Sequence, residues 1–168
     1  IKLGRNYLLT VQTSTDELVY IKPPFTLEVD IVKNTLGSAN ACKLRIYNLA
    51  AQTRNQLYFN SFNQSNYKSI QLQMGYGDNL SIQFTGNISQ CWSVREGVNF
   101  ITQIECYDGG FAFVNTVVNK SFPQGTPLFV VITDLMNALT KTPSGVSTGI
   151  TIGAIGSFPG VLPKGVTY

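Results

Sequence analysis

Histidine is absent from this chain of 168 residues, and charged side chains make up only 12% of it. Without histidine, Ser-His and Cys-His nucleophile pairs in their usual form are excluded, together with most zinc sites. The basic residues are scattered singly and the net charge is +3, so there is no electrostatic footprint for nucleic acid. A charge-poor chain that is rich in Asn, Gln, Ser and Thr suits half-buried strands and subunit contacts, where charges are costly to desolvate.

Long apolar runs are also missing, and FVVI at 129–132 is typical of the longest, so no membrane insertion is expected. No secretory signal is visible, and a chain that begins at Ile1 is expected to be part of a longer product. Three cysteines at wide spacing, Cys42, Cys91 and Cys106, are expected to be small buried thiols rather than disulfides or metal ligands. Such thiols fit folding in a reducing compartment.

Period-two patterning dominates residues 1 to about 115 and predicts seven or eight antiparallel strands. Hairpins are predicted at 13–16, 77–79 and 95–97. The alternation predicts an inward row of Ile70, Leu72, Met74 and Tyr76, then rows of Leu80, Ile82 and Phe84 and of Val98, Phe100, Ile104 and Cys106. A sheet with one apolar face must close on itself or pair with another layer, so we expect a barrel or a sandwich.

Two helices interrupt this pattern. Alternation stops at Asn48, which is suited to cap or turn the chain, and a short helix is predicted near 50–60 with Leu57 on its inner face. A second helix is predicted near 127–140, with Thr126 as N-cap and Pro127 as the first helical residue. We place the domain boundary between a β domain, 1–118, and a segment of helix plus Gly-rich extended chain, 119–168.

Catalytic chemistry could come only from carboxylates. Asp78 and Asp108 are expected in turns, and the strongest acid pair for a cell-wall glycoside hydrolase is Glu105 with Asp108. GYGDN at 75–79 lacks the spacing of a phosphate loop. Trp92 is either a sugar-stacking platform or, more in keeping with an isolated strand tryptophan, a core or interface anchor. A carbohydrate-binding β-sandwich for host attachment is therefore the alternative to a protein that acts by contact.

Several segments, taken together and in order, resemble the baseplate or tail hub proteins of tailed bacteriophages. They are LRIYNLAAQTRNQLYF (44–59), IQLQMGYGDN (70–79), FTGNI (84–88), REGVNFITQIECYDG (95–109) and SFPQGTPLFVVITDLM (121–136). The resemblance implies a mainly β protein with minor α content, built on a closed or nearly closed antiparallel β-barrel like that of tail-tube proteins. Its structural or assembly candidates are Asn48, Leu57, Tyr76, Gly86, Trp92, Asp108 and Gly109.

The same resemblance implies a structural protein of the virion tail or baseplate, assembled in the host cytoplasm, rather than an enzyme. The expected role is a hub or hub-like adaptor that connects the tail tube to the tail tip by ring assembly. Residues 119–168 are then expected to be the start of a further hub region. The implied partners are copies of itself (a homotrimer, with a hexamer as the alternative), tail tube protein, a spike or tip protein and other baseplate proteins. No catalytic residue, cofactor, metal or specific nucleic acid is implied.

Overall fold

The computed structural model describes residues 4–13, 15–34, 39–58, 68–109, 112, 116–141, 143, 148, 150 and 152–167. The chain forms two compact units, residues 1–110 and 111–168. The domain boundary predicted between residues 118 and 119 stays a prediction.

The first unit is a seven-stranded antiparallel sheet with one short helix. Its elements are β1 Arg5–Gln12, β2 Leu18–Ile21, β3 Leu27–Val32, β4 Ala41–Tyr47, α1 Ala51–Leu57, β5 Ser69–Tyr76, β6 Asn79–Glu96 and β7 Asn99–Tyr107. The strand order is β2-β1-β5-β6-β7-β4-β3. Alternation explains these strands: in β3, for example, Leu27, Val29 and Ile31 are partly buried whereas Glu28 and Asp30 are exposed.

Strand β6, with 18 residues, joins the two halves of the sheet. Residues 79–87 pair with β5, and residues 87–96 pair with β7. The register shifts twice along β6, so Gln83 and Ser89 are extra residues on that strand. A bulge bends its strand and increases the local twist. The bends let one sheet wrap a single core, to which both halves contribute: Leu9, Val11, Ile21, Cys42, Leu44, Ile46, Ile70, Leu72, Phe84, Ile88, Cys91, Ile104 and Cys106.

The predicted inward row of Leu80, Ile82 and Phe84 is wrong for Ile82, because of the first bulge. Phe84 lies opposite Leu72 and is buried, as predicted. Ile82 lies opposite Gln73 and is 59% exposed, because the extra residue Gln83 moves it to the other face. Tyr76 is also more exposed than predicted, at 40%.

The predicted closed or nearly closed barrel is wrong: among the described residues no sheet is closed. Closure would need a ladder between the two edge strands, β2 and β3. Strand β2 has only four residues, and Pro23 and Pro24, which follow it, have no N–H to donate. The connection from β2 to β3 instead runs between the two edges of the sheet. Its Phe25 O accepts from Tyr7 Oη of β1 at 2.6 Å, and its Thr26 O accepts from Tyr47 N of β4 at 3.1 Å.

At the β6–β7 turn, the predicted inward row is only half right. Ile104 and Cys106 are buried, whereas Val98 is 89% exposed and Phe100 is 39% exposed. Val98 lies in the two-residue turn itself, after Gly97 at φ +62, so no neighbouring strand covers it.

The second unit contains β8 Ser121–Phe122, α2 Leu128–Leu139 and β9 Val166–Thr167, with β8 and β9 antiparallel. The predicted cap of α2 is wrong. Pro127 occupies the N-cap position, and Thr126 Oγ1 donates to Pro123 O at 2.7 Å instead of capping the helix. Val131 is buried, as its helical spacing predicts, while Phe129 and Val130 remain nearly half exposed. Of the helices described, none is long and apolar enough to cross a membrane.

Gly86 provides a test of how closely β6 and β7 pack. A Cβ atom there would lie 2.5 Å from Tyr107 O and 2.9 Å from Phe84 Cε1. We therefore expect Gly86→Ala to lower the free energy of unfolding by about 1–3 kcal/mol, as overpacking does. Urea denaturation measures this, with Gly153→Ala as control because an added methyl there meets nothing within 4 Å. Equal effects of the two substitutions would contradict the close approach.

Candidate assembly surface

Asn48 turns the chain out of β4 toward α1. Its backbone is in the left-handed region at φ +60, a conformation that Asn tolerates better than most residues. Asn48 N donates to Phe100 O at 2.7 Å, Phe100 N donates to Asn48 Oδ1 at 3.0 Å, and Asn48 Nδ2 donates to Asn99 Oδ1 at 3.0 Å. Asn48 therefore joins the β4 exit to the β6–β7 hairpin. It is not the cap of α1, whose N-cap is Ala50.

Helix α1 packs against the core and the end of this hairpin. Leu57 is 2% exposed and belongs to the core cluster, which agrees with its expected inner position. Arg54 lies with its guanidinium carbon 3.9 Å from the centre of the Phe100 ring, and that of Arg95 lies 5.8 Å from the same ring. The Phe100 ring is thus within cation–π distance of one helical and one hairpin arginine, which offsets some of the cost of its exposure. The alternation alone missed this contact, because it joins residues distant in sequence.

Charged side chains of β3, β4 and β6 contact one another on the outer face of the sheet. Arg45 reaches Glu96 at 3.1 Å and Glu28 at 3.5 Å, and Tyr47 Oη donates to Glu28 at 2.7 Å. The hydrogen bond to Glu28 raises the pKa of Tyr47. These groups are 39–54% exposed along the Arg45 pairs, so each contact contributes little stability and mainly sets the pattern of surface charge.

Asp108 directly follows β7 and binds Asn40, which directly precedes β4. Its Oδ1 accepts from Asn40 N at 2.6 Å and its Oδ2 accepts from Asn40 Nδ2 at 2.5 Å, while Asp108 N donates to Asn40 O at 3.0 Å. Gly109 follows at φ +62. Glu105, the other acid considered for hydrolysis, binds Lys43 at 3.1 Å and raises the pKa of that lysine by hydrogen bonding. Both carboxylates therefore have structural partners within the described part of the chain.

The remaining candidate residues do not converge on one site. Trp92 is half-buried on the outer face of β6 opposite Gln103. Tyr76 ends β5 at the β5–β6 turn, and Gly86 lies mid-strand beside Tyr107. Asn48 and Leu57 lie near the other end of β6. Asn48 and Leu57 therefore lie at one end of the first unit, whereas Tyr76, Gly86 and Trp92 lie at separate points along β5 and β6.

The three cysteines are free and buried. Burial raises the pKa of the Cys91 thiol to about 12. The pKa of Cys106 is also raised, mainly by hydrogen bonding with Cys42 and secondly by burial. Cys106 Sγ lies 3.1 Å from Cys42 O. In the residues that the structure describes, no three cysteine, aspartate or glutamate side chains are grouped to hold a metal ion.

Comparison with known proteins gives this arrangement a family. Residues 8–140 match the family model described as Baseplate hub gp41. The chain belongs to the baseplate hub gp41 family. The resemblance inferred from the ordered segments is therefore confirmed, although its barrel is not. Membership makes the chain a structural tail or baseplate protein of the virion, and a structural family supports a non-enzymatic role.

The solved structures that match this chain include a virion chain and a tail protein. A chain of the virion of a native gene transfer agent particle has a TM-score of 0.47 at 8% identity, covering 74% of this chain and 47% of that chain. The tail protein from Neisseria meningitidis MC58 has a TM-score of 0.48 at 14% identity, covering 92% of this chain and 41% of that chain. The chain spans less than half the length of both. No curated protein matches it.

Substitution of Asn48 separates its backbone role from its hydrogen bonds. Asn48→Gly keeps the positive φ accessible and removes the side-chain bonds, so we expect a loss of about 1 kcal/mol in the free energy of unfolding. Asn48→Leu adds the strain of a branched residue at positive φ, and we expect a further loss of about 1–2 kcal/mol. Urea denaturation of both variants measures the difference. Equal losses would show that the backbone conformation imposes no constraint.

The thiols should be unreactive in the folded protein. All three thiols are at most 1% exposed, so reagent access is blocked, and the raised pKa values of Cys91 and Cys106 also keep the thiolate fraction of those two small at pH 8. Hydrogen bonding with Cys106 lowers the pKa of Cys42, so burial alone protects that thiol. We expect Ellman's reagent to titrate no thiol within minutes at pH 8 and three after denaturation. Val98→Cys is the matched control, since that position is 89% exposed and should add one thiol that reacts at once. Rapid reaction of the unsubstituted protein would contradict the burial.

Proposed function

We propose that this protein is a hub subunit that connects the tail tube to the tail tip by ring assembly. The match of residues 8–140 to the baseplate hub family carries the proposal. The proposed partners are further copies of the chain, forming a trimer or, as the alternative, a hexamer, together with tail tube protein, a spike or tip protein and other baseplate proteins. Assembly would take place in the host cytoplasm before the virion is complete.

The surface chemistry supports a role in contacts rather than catalysis. Charged residues are only 12% of the sequence, so many faces can be buried without desolvating charges. Glu105 and Asp108, the acid pair considered for hydrolysis, are engaged by Lys43 and Asn40. Trp92 is half-buried in β6, which favours an anchoring role over a sugar platform.

Helix α2 supplies an apolar surface suited to a partner. It buries Val131 on one side and leaves Phe129 45% and Val130 48% exposed on others. A helix that is apolar on most of its circumference is typical of a buried position. The proposed hub would bury these side chains in contact with a neighbouring subunit or tail protein.

The test uses the full-length gene product. We expect native mass spectrometry to find three or six copies, and sedimentation to find them bound to assembled tail tube protein. Phe129→Ser should weaken this assembly at least tenfold without changing the melting temperature, because it removes exposed apolar area. Asn137→Ser, at an exposed polar position of the same helix, is the matched control and should assemble normally. A product that stays monomeric at high concentration and ignores tube protein would overturn the hub function.

A further inference from the structure

Two of the three free cysteines face each other across neighbouring strands. Cys42 of β4 and Cys106 of β7 are register partners in the antiparallel ladder. Both belong to the hydrophobic core, and each is 1% exposed. Residues that lie directly opposite each other in an antiparallel pair project from the same face of the sheet, with their Cβ atoms about 4.5–5.5 Å apart. The two thiols are therefore next to each other inside the core.

The two side chains also contact each other. Cys106 Sγ lies 3.1 Å from Cys42 O, so the Cys106 side chain leans over its partner. Hydrogen bonding between the two thiols is the main cause of their opposite pKa changes, which lower the pKa of Cys42 and raise that of Cys106. Cys42 is therefore the thiol of this pair that more readily forms the nucleophilic thiolate.

The backbone geometry of the pair fits a disulfide bond. Asp108 N donates to Asn40 O two residues further along the same ladder. Because hydrogen-bonded and non-hydrogen-bonded pairs alternate, Cys42 and Cys106 form a hydrogen-bonded pair, whose Cα atoms are about 5.5 Å apart. This separation lies within the usual disulfide range of about 4.4–6.8 Å, although the Cβ atoms must approach somewhat more closely than in most cross-strand pairs. The bond can therefore form without rearrangement of the sheet, but under strain.

Cys91, the third core thiol, is less well placed. It lies on β6 opposite Ile104 of β7, so it is only a diagonal neighbour of Cys106. Diagonal neighbours have Cα atoms about 7–8 Å apart, which is beyond the reach of a disulfide unless the backbone moves. Strand β7 also separates Cys91 from Cys42 of β4. Cys91 should therefore stay a free thiol when the other two react.

The pair lies close to the end of both strands, where a small reagent can reach it. Strand β4 begins at Ala41 and β7 ends at Tyr107, each one residue from the pair. Ladder ends open locally at a lower free energy cost than the centre of a sheet. Oxidation of Cys42 and Cys106 therefore requires only local opening of this end, rather than unfolding of the whole first unit.

We propose that Cys42 and Cys106 form a reversible cross-strand disulfide when the protein meets a peroxide. The Cys42 thiolate attacks one peroxide oxygen and the O–O bond breaks, which leaves a sulfenic acid on Cys42 and a hydroxide that takes up the thiol proton as water. The Cys106 sulfur then attacks the sulfenic sulfur, so the S–S bond forms, the S–O bond breaks and a second water leaves. The two sulfurs lose two electrons in total, and the peroxide gains them.

Such a bond would join β4 to β7 covalently. The two cysteines are 64 positions apart in the sequence, so the disulfide closes a long loop and restricts the unfolded chain. Because strained disulfides are reduced easily, the reducing cytoplasm should keep the pair as thiols, and oxidation should follow release of the virion. The reacting residues all lie in the first unit, so the disulfide should form whether or not the chain assembles as a hub.

Thiol counting on the full-length protein tests this disulfide. The protein is incubated overnight with hydrogen peroxide, denatured without reductant and titrated with Ellman's reagent. We expect the free thiols to fall from three to one, the mass to fall by two hydrogen atoms, and dithiothreitol to reverse both changes. The melting temperature should rise by roughly 5–10 °C, because the cross-link restricts the unfolded chain. Peptide mapping should place the bond between Cys42 and Cys106.

Two variants are matched controls. Cys91→Ser should still form the disulfide and keep no free thiol, whereas Cys42→Ser should form none and keep two. Mapping of the unsubstituted protein decides the outcome even if a variant fails to fold. Three thiols remaining after peroxide, a bond that includes Cys91, a bond between two chains, or sulfinic acid without a disulfide would each overturn the proposal. None of these results bears on the hub function, which the oligomer mass and tube binding test separately.

Discussion

The bent strand β6 is the constraint on which the first unit depends. Its first half is hydrogen-bonded to β5 and its second half to β7, so the two halves of the sheet share one continuous backbone. The extra residues Gln83 and Ser89 bend that backbone, and side chains from both halves then meet in one core. Without these bends, a seven-stranded sheet with one apolar face would need another layer to cover it. Helix α1 contributes Leu57 to the same core.

The same arrangement explains why the edge strands β2 and β3 are left unpaired with each other. Because curvature is concentrated in β6, the edge strands β2 and β3 need not pair for the core to be covered. Their connection carries Pro23 and Pro24 and is held by hydrogen bonds from Tyr7 and Tyr47 to Phe25 and Thr26. The edges are protected in different ways: β2 is short, and β3 exposes Glu28 and Asp30. Both features disfavour indiscriminate pairing with strands of other chains.

Contact, rather than chemistry, is consistent with every functional group described. All three thiols are buried, the pKa values of Cys91 and Cys106 are raised, and the candidate acids Glu105 and Asp108 have structural partners. The apolar groups that remain exposed include Val98 at the β6–β7 turn and Phe129 and Val130 of α2.

The sequence by itself determined the β character, both helices, the β6–β7 turn, the buried thiols and the family, because alternation, turn residues and ordered motifs are local properties. Asn48 and Leu57 were found in this way, since a break in alternation marks a corner. Only the tertiary structure decided which way Ile82 faces and how the sheet ends. A bulge leaves no trace in a period-two pattern, yet one extra residue exchanges the two faces. Closure depends on hydrogen bonds between strands at opposite ends of the sheet order, and no local pattern specifies whether those form.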